Sequence, residues 1–255
     1  MAVDPLLMHK PSDITHTKLA SLHSQEEQLR SKARALVAND LFLQLHLSAV
    51  EAAMDVADVF RQFPTNDEDL KVAQLLGMRT FNALGSSLKL ALSGYNQNSA
   101  LIMRDILETV FLLDLFKGDR SLIEQWRFAN KKSRMKEFGP AKVRKTLDAR
   151  DGLTTKKRFE IYEMFSELAA HPTMKSAWMM RPERDGDAVI GPFIEATALK
   201  AVISEMGRLA IQVGEILVAF FPADWRQGFS TCRAFSKLKR SWQAEFYPPA
   251  PKAET

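Results

Sequence analysis

At 255 residues, with 46% hydrophobic and 26% charged residues and a formal charge of +4, the chain has the ordinary balance of a soluble globular protein, large enough for one big domain or two small ones. The single cysteine, Cys232, excludes an internal disulfide and suits a reducing cytoplasm. No apolar run approaches the roughly 18 residues of a membrane span, so no membrane partner is expected, and the N-terminus shows no basic-then-apolar signal pattern.

The 11 glycines and 11 prolines gather between periodic segments, which favours long helices over many strands. Residues 1–23 hold Pro5 and Pro11 without periodicity and read as a flexible arm. His9, His16 and His23 recur every seven residues, but nothing around them supports a helix, so the spacing is read as chance and no metal is assigned. A long helical pattern runs from Ser24 to Phe63, bent near Asn39-Asp40, with Leu43, Leu47, Val50, Met54 and Val56/Val59 as its apolar stripe. Pro64 ends it, and Thr65 to Glu68 has the form of a capping box. The next helix extends to Ser93 with Leu75, Leu76, Phe81, Leu84, Leu88 and Leu92 inward, and Gly77 and Gly85 leave room for a neighbour.

Gly94 to Gly118 is the centre of the pattern: one helix between glycines, apolar on nearly every side, as expected of the rod inside a bundle. Its middle departs from that rule. Arg104, Asp105, Glu108 and Thr109 share an arc of about 140°, with Leu101 before them and Leu112 and Leu115 after. Charges girdled by leucine need partners, and the candidate partner is His171, in Ser166-Glu-Leu-Ala-Ala-His171-Pro172. Arg104, Asp105, Glu108 and His171 are thus the candidate catalytic or ligand-binding residues, with a structural polar network as the alternative.

Asp119 to Phe138 reads as an amphipathic helix carrying Leu122, Trp126 and Phe128, and Gly139-Pro140 opens a shorter one that ends at Gly152. Thr154 or Thr155 caps a helix that turns Phe159, Tyr162, Phe165 and Leu168 to the core, and Pro172 puts His171 at its C-terminal edge. Residues 176–193 are expected to form a small β-hairpin around Pro182 to Asp187. Ile194 to Phe221 is the cleanest helix, Asp224 caps the last one, and residues 247–255 read as a disordered tail. The expected fold is all-α, a bundle of seven or eight helices with one hairpin insert, spanning residues 24–246 as one domain.

Between Lys131 and Arg158 eleven Lys or Arg residues face only Glu137, Asp148 and Asp151, a surplus of eight positive charges that leaves the rest of the chain near −4. Lys131, Lys132, Arg134, Lys136, Lys142, Arg144 and Lys145 are therefore candidates for contact with nucleic acid, against the alternative of a solvated face. The other partner reading is a second copy of the chain, a homodimer. There is no Glu-x-x-His pair, Walker loop, nucleophile elbow or zinc spacing, so no cofactor is expected.

The Arg104-x-x-x-Glu108 helix and the Ser166-x-x-x-x-His171-Pro172 turn resemble an uncharacterised family of bacterial helical domains over about residues 75–220. More distantly the architecture is similar to the HEPN superfamily, some members of which are ribonucleases of toxin or phage-defence systems. The signature of those enzymes sets an Arg ahead of a His on one helix with four to six residues between them. Here that window before His171 holds Met164, Phe165 and Ser166. Two readings of function follow: a non-enzymatic module for binding or self-association, and a nucleic-acid-directed protein of the HEPN-like kind.

Overall fold

Long amphipathic helices hide their apolar stripes only against one another, and the chain solves this with four of them. The computed structural model describes residues 17–183 and 186–248. Helix α1 spans Thr17–Ala38, α2 Leu41–Phe60, α3 Glu68–Leu92 and α4 Asn96–Gly118. Then come α5 (Ser121–Phe128), α6 (Lys131–Phe138), α7 (Pro140–Arg150) and α8 (Lys157–Phe165). After a wide π-type turn at Ser166–Ala170 and a 3₁₀ turn at Ser176–Met180, α9 (Ala196–Val218) and α10 (Arg226–Phe246) complete the fold.

Helices α2, α3, α4 and α9 form the core, and α10 lies along α2. Small residues set this geometry. Alanines 49, 53 and 57 on α2 and Gly207 and Ala210 on α9 are all buried, so backbones approach closely where those helices meet, and Gly214 of α9 leaves room for the Phe235 ring of α10. Gly207 is required there: a Cβ on it would stand 2.4 Å from His46 Nδ1 of α2. Helix α4 is the central rod, touching α3, α5, α7, α8, α9 and both short turns, with Met103, Ile106, Leu107, Leu113 and Phe116 fully buried. A smaller cluster of Ala33, Val37, Leu43, Leu199 and Ile203 fastens α1 to α2 and α9.

Several expectations are corrected. Residues 17–23, expected to belong to the arm, are part of α1; residues 1–16, with His9 and His16, lie outside the described residues, as do residues from 249 on. His23 is exposed and bonds Glu26. The 24–63 pattern is two helices, since the Asp40 carboxylate caps α2 by accepting from Phe42 N and Leu43 N. The 119–138 pattern also divides, because Asn130 accepts from Ser133 N and starts α6. These two breaks raise the number of helices above seven or eight. The cap of α3 is Asp67, not Thr65, whose hydroxyl instead accepts from Asp67 N. Neither Thr154/Thr155 nor Asp224 caps a helix: α8 and α10 start after Lys156 and Trp225 without a side-chain cap. Leu75, Phe128 and Phe159 are exposed rather than inward.

The hairpin does not form among the described residues. Ser176–Met180 has no β-branched side chain to favour an extended strand, and the Thr173 hydroxyl accepts from Ser176 N to start a tight 3₁₀ turn instead. One backbone bond, Val189 N to Met180 O at 3.0 Å, is what remains of the expected pairing. No described helix is long and apolar enough to cross a membrane.

Candidate functional site

The polar middle of α4 meets α7 and α8, and the residue it finds there is Tyr162. Arg104 Nη2 donates to the Tyr162 hydroxyl and pairs with Glu108 Oε1 at 3.2 Å, one helical turn along its own helix. The guanidinium carbon of Arg104 lies 4.7 Å from the centroid of the Tyr162 ring. From α7 a second guanidinium, Arg144, stacks on the same ring at 3.8 Å and stands 5.9 Å from Phe159. Tyr162 therefore holds two cations, which its π-face and hydroxyl oxygen both favour.

Local sequence explains why Arg144 is there. On α7, Val143 and Leu147 are one helical turn apart and both buried, and Arg144 shares their side of the helix. Its side chain is buried, yet among the described residues it has no carboxylate and no hydrogen-bond partner, and Nη1 is sealed from solvent. A buried charge without a counter-charge is costly, and the Tyr162 face offsets part of that cost. Arg104 Nε is likewise buried without an acceptor.

The remaining sequence-predicted residues go elsewhere. Asp105 pairs with Arg79 of α3, and its carbonyl accepts from Thr109 Oγ1. Asp105, Glu108 and Arg79 border a groove of about 280 Å³ whose apolar side includes Phe111, Trp126 and Phe138. His171 does not join the group: it is exposed, and no hydrogen bond or ion pair among the described residues connects it to Arg104, Asp105 or Glu108. The reason is local. The 166–170 turn closes with His171 N on Ser166 O, and Pro172 then holds His171 extended at φ −116°, ψ 143°. Tyr162, which the sequence places with the core, takes the role expected of His171.

The basic stretch separates by residue type. Its arginines are absorbed into the structure. Arg134 lies over Trp126 and donates to Ala129 O, Arg150 grips Asp114 and Asp151, and Arg158 bridges Asp148 and Asp151. Hydrogen bonds from Arg150 and then Arg158 hold the Asp151 carboxyl down to about 2. The lysines are left over. Lys136 touches Glu137, while Lys131, Lys132, Lys142, Lys145, Lys156 and Lys157 are exposed and unpaired among the described residues.

Two pairs of those lysines sit at helix starts. Lys131 and Lys132 open α6, whose first turn holds no acidic residue, and Lys156 and Lys157 open α8, whose first turn holds Glu160. A helix N-terminus already carries about half a positive charge, so Lys131 and Lys132 at the start of α6 concentrate like charge where an anion would relieve it. Phe159 and Phe128, the latter just ahead of the Asn130 cap, are exposed rings close in sequence to the lysines, with Arg144 at 5.9 Å and Arg127 at 5.4 Å from their centroids. No group of three or more His, Cys, Asp or Glu among the described residues is placed to hold a metal ion. No protein-family model, curated protein or solved structure matches the chain.

Proposed function

We propose that the protein is a non-enzymatic helical binding module that docks a nucleic acid, in single-stranded form, on the face built from α6, α7 and the start of α8. The observation that carries this reading is the division of labour within residues 131–158. The arginines are spent on internal contacts, whereas six lysines stay exposed and unpaired, four of them at helix N-termini. Evenly solvated faces balance both signs; here, among the described residues, six unpaired lysines stand against Glu160 in the first turn of α8, while Glu137, Asp148 and Asp151 are already engaged by Lys136, Arg150 and Arg158. The exposed rings of Phe128 and Phe159 favour a single strand, whose unpaired bases can stack on them. The alternative ribonuclease reading needs a histidine working with Arg104, and the exposed His171 provides no such pairing.

The test is retention of short single-stranded RNA and DNA over a salt series. Engagement of all six lysines predicts a log–log slope of about −4, from roughly −0.7 per neutralised phosphate. Reversing Lys131, Lys132, Lys142 and Lys145 to glutamate should abolish binding without loss of helix content, because these side chains hold nothing else in place. Absence of salt-sensitive retention by the wild type removes the proposal.

A further inference from the structure

Arg144 is a buried cation whose cost the fold meets only in part. It is 7% exposed, and among the described residues it has neither a carboxylate nor a hydrogen-bond acceptor. Tyr162 offers its ring face at 3.8 Å. The one acidic residue a helical turn away on α7, Asp148, is already held by Arg158 at 2.6 Å. A buried charge in this position ordinarily neutralises itself, which an arginine cannot do. An anion would complete the group.

The guanidinium is open along one edge. Nη1 is sealed from solvent, but Nε and Nη2, equally without partners among the described residues, are not. Those two nitrogens form the side of a guanidinium on which parallel N–H groups meet two oxygens of one anion. Arg104 approaches the same ring. Its Nη2 donates to the Tyr162 hydroxyl and pairs with Glu108, its Nε is sealed, and its Nη1 is open and unpartnered among the described residues. The two guanidinium carbons stand 3.8 and 4.7 Å from one ring centroid, so no more than 8.5 Å separates them. One oxyanion spans such a gap with hydrogen bonds of about 2.8 Å to each side. The Tyr162 hydroxyl accepts from Arg104 and donates to no described residue, which leaves its proton for the same anion.

We propose that Arg144, Arg104 and Tyr162 bind a phosphate monoester. Three donor groups are served by three oxygens, and a terminal phosphate has them. A carboxylate spends both of its oxygens on the Arg144 fork, and a phosphodiester has only two that are free. Depth favours the same choice, because a terminal group reaches inward to Arg144 where a phosphate flanked on both sides does not. Charge agrees: two arginines against Glu108 leave one positive charge, and the surplus of residues 131–158 offsets the second negative charge of the phosphate. Phe159, exposed and 5.9 Å from the Arg144 guanidinium, gives an apolar face to the group that carries the phosphate. The site does not depend on strand docking by the lysines: a protein that retains no nucleic acid can still take a phosphate monoester here.

The experiment is isothermal titration of the full chain, at constant ionic strength, with phenyl phosphate, its methyl diester and benzoate. Phenyl phosphate should bind saturably, and the other two at least about tenfold more weakly. Arg144→Met, which keeps an apolar stem, should lose at least about tenfold in affinity. Its melting temperature without ligand should hold or rise, because the change removes a buried charge and no hydrogen bond. Arg144→Lys should weaken binding similarly, since a point charge replaces the fork. A short RNA with a 5′-phosphate displaces phenyl phosphate if the monoester is a strand end, and fails to if it belongs to a small molecule. No saturable binding, benzoate or the diester matching phenyl phosphate, displacement by unphosphorylated RNA, unchanged affinity in both variants, or a large fall in melting temperature for Arg144→Met would each overturn the proposal.

Discussion

Acidification should weaken this fold through one histidine, and the size of the effect follows from its surroundings. His46 lies on α2, buried at the seam with α9 and α10. Its Nδ1 accepts from Trp242 Nε1 at 3.1 Å, its ring stacks on Phe246 at 4.1 Å, and Gly207 closes the space behind it. Burial, and then the charge of Arg208, lower its pKa from 6.5 to about 4, with Asp40 acting weakly in the opposite direction. The unfolded chain therefore takes up the proton first as pH falls. Stability from this residue is complete above about pH 6.5, declines through the window down to about 4, and is then lost. A shift of this size corresponds to about 3 kcal/mol, a large share of the stability of a domain. Geometry agrees with the sign, because a proton on Nδ1 would remove the acceptor that Trp242 needs. The assay is urea unfolding at several pH values for wild type and His46→Asn, whose amide oxygen can replace the acceptor but cannot titrate. The variant should be less stable at neutral pH, since it loses the Phe246 stack, yet the gap should close as pH falls towards 4. A gap that stays constant across that window refutes the reasoning.

Two further outcomes test the packing. Arg104→Ala should lower stability by only about 1–2 kcal/mol in urea, from an i,i+4 ion pair, a ring contact and a hydrogen bond. A fully sealed pair would cost about 3–5 kcal/mol, but the side chains of Arg104 and Glu108 are 23% and 31% exposed. Gly207→Ala should destabilise by about 1–3 kcal/mol in thermal melts, because its Cβ would sit 2.4 Å from His46 Nδ1, and it should also blunt the pH dependence by disturbing the Trp242 bond.

Much of the fold is legible where burial obeys a single period. On α9 the apolar residues Leu199, Val202, Ile203, Met206, Leu209, Val213, Ile216 and Leu217 are all buried, because a helix between two apolar layers must repeat every three or four residues. The polar–apolar arrangement of α4 as a central rod is legible for the same reason. Boundaries are less so. At Asn39-Asp40 and at Asn130 a short carboxylate or amide side chain ends one helix by capping the next, and apolar spacing continues undisturbed through the break. Between Thr65 and Asp67 two residues compete for one cap, and hydrogen-bond geometry rather than composition selects Asp67.

The site is legible by half, and the missing half has a physical cause. A charge on an apolar helix face signals that a partner exists, which is why Arg104 and Glu108 stand out along α4. It does not say what kind of partner. Histidine followed by proline draws attention because its titration suggests chemistry, whereas a tyrosine at helical spacing between Phe159 and Phe165 looks like one more core ring. Yet a tyrosine can accept a hydrogen bond at its hydroxyl and offer its face to a second cation, so Tyr162 accommodates both Arg104 and Arg144. The signal for this was present on α7. Val143, Arg144 and Leu147 place an arginine on the inward side of a short helix, the same irregularity that marks α4. In the basic stretch, however, Arg144 is masked by ten other cations, and a count of charges treats it as one more surface residue. What distinguishes it is direction: arginine, planar and stackable, is drawn into contacts with rings and carboxylates, while lysine keeps its hydrated ammonium outside. The stretch is therefore two structures in one sequence, an inner set of arginines that ties α5–α8 to one another and, through Arg150 and Asp114, to the rod, and an outer set of exposed lysines.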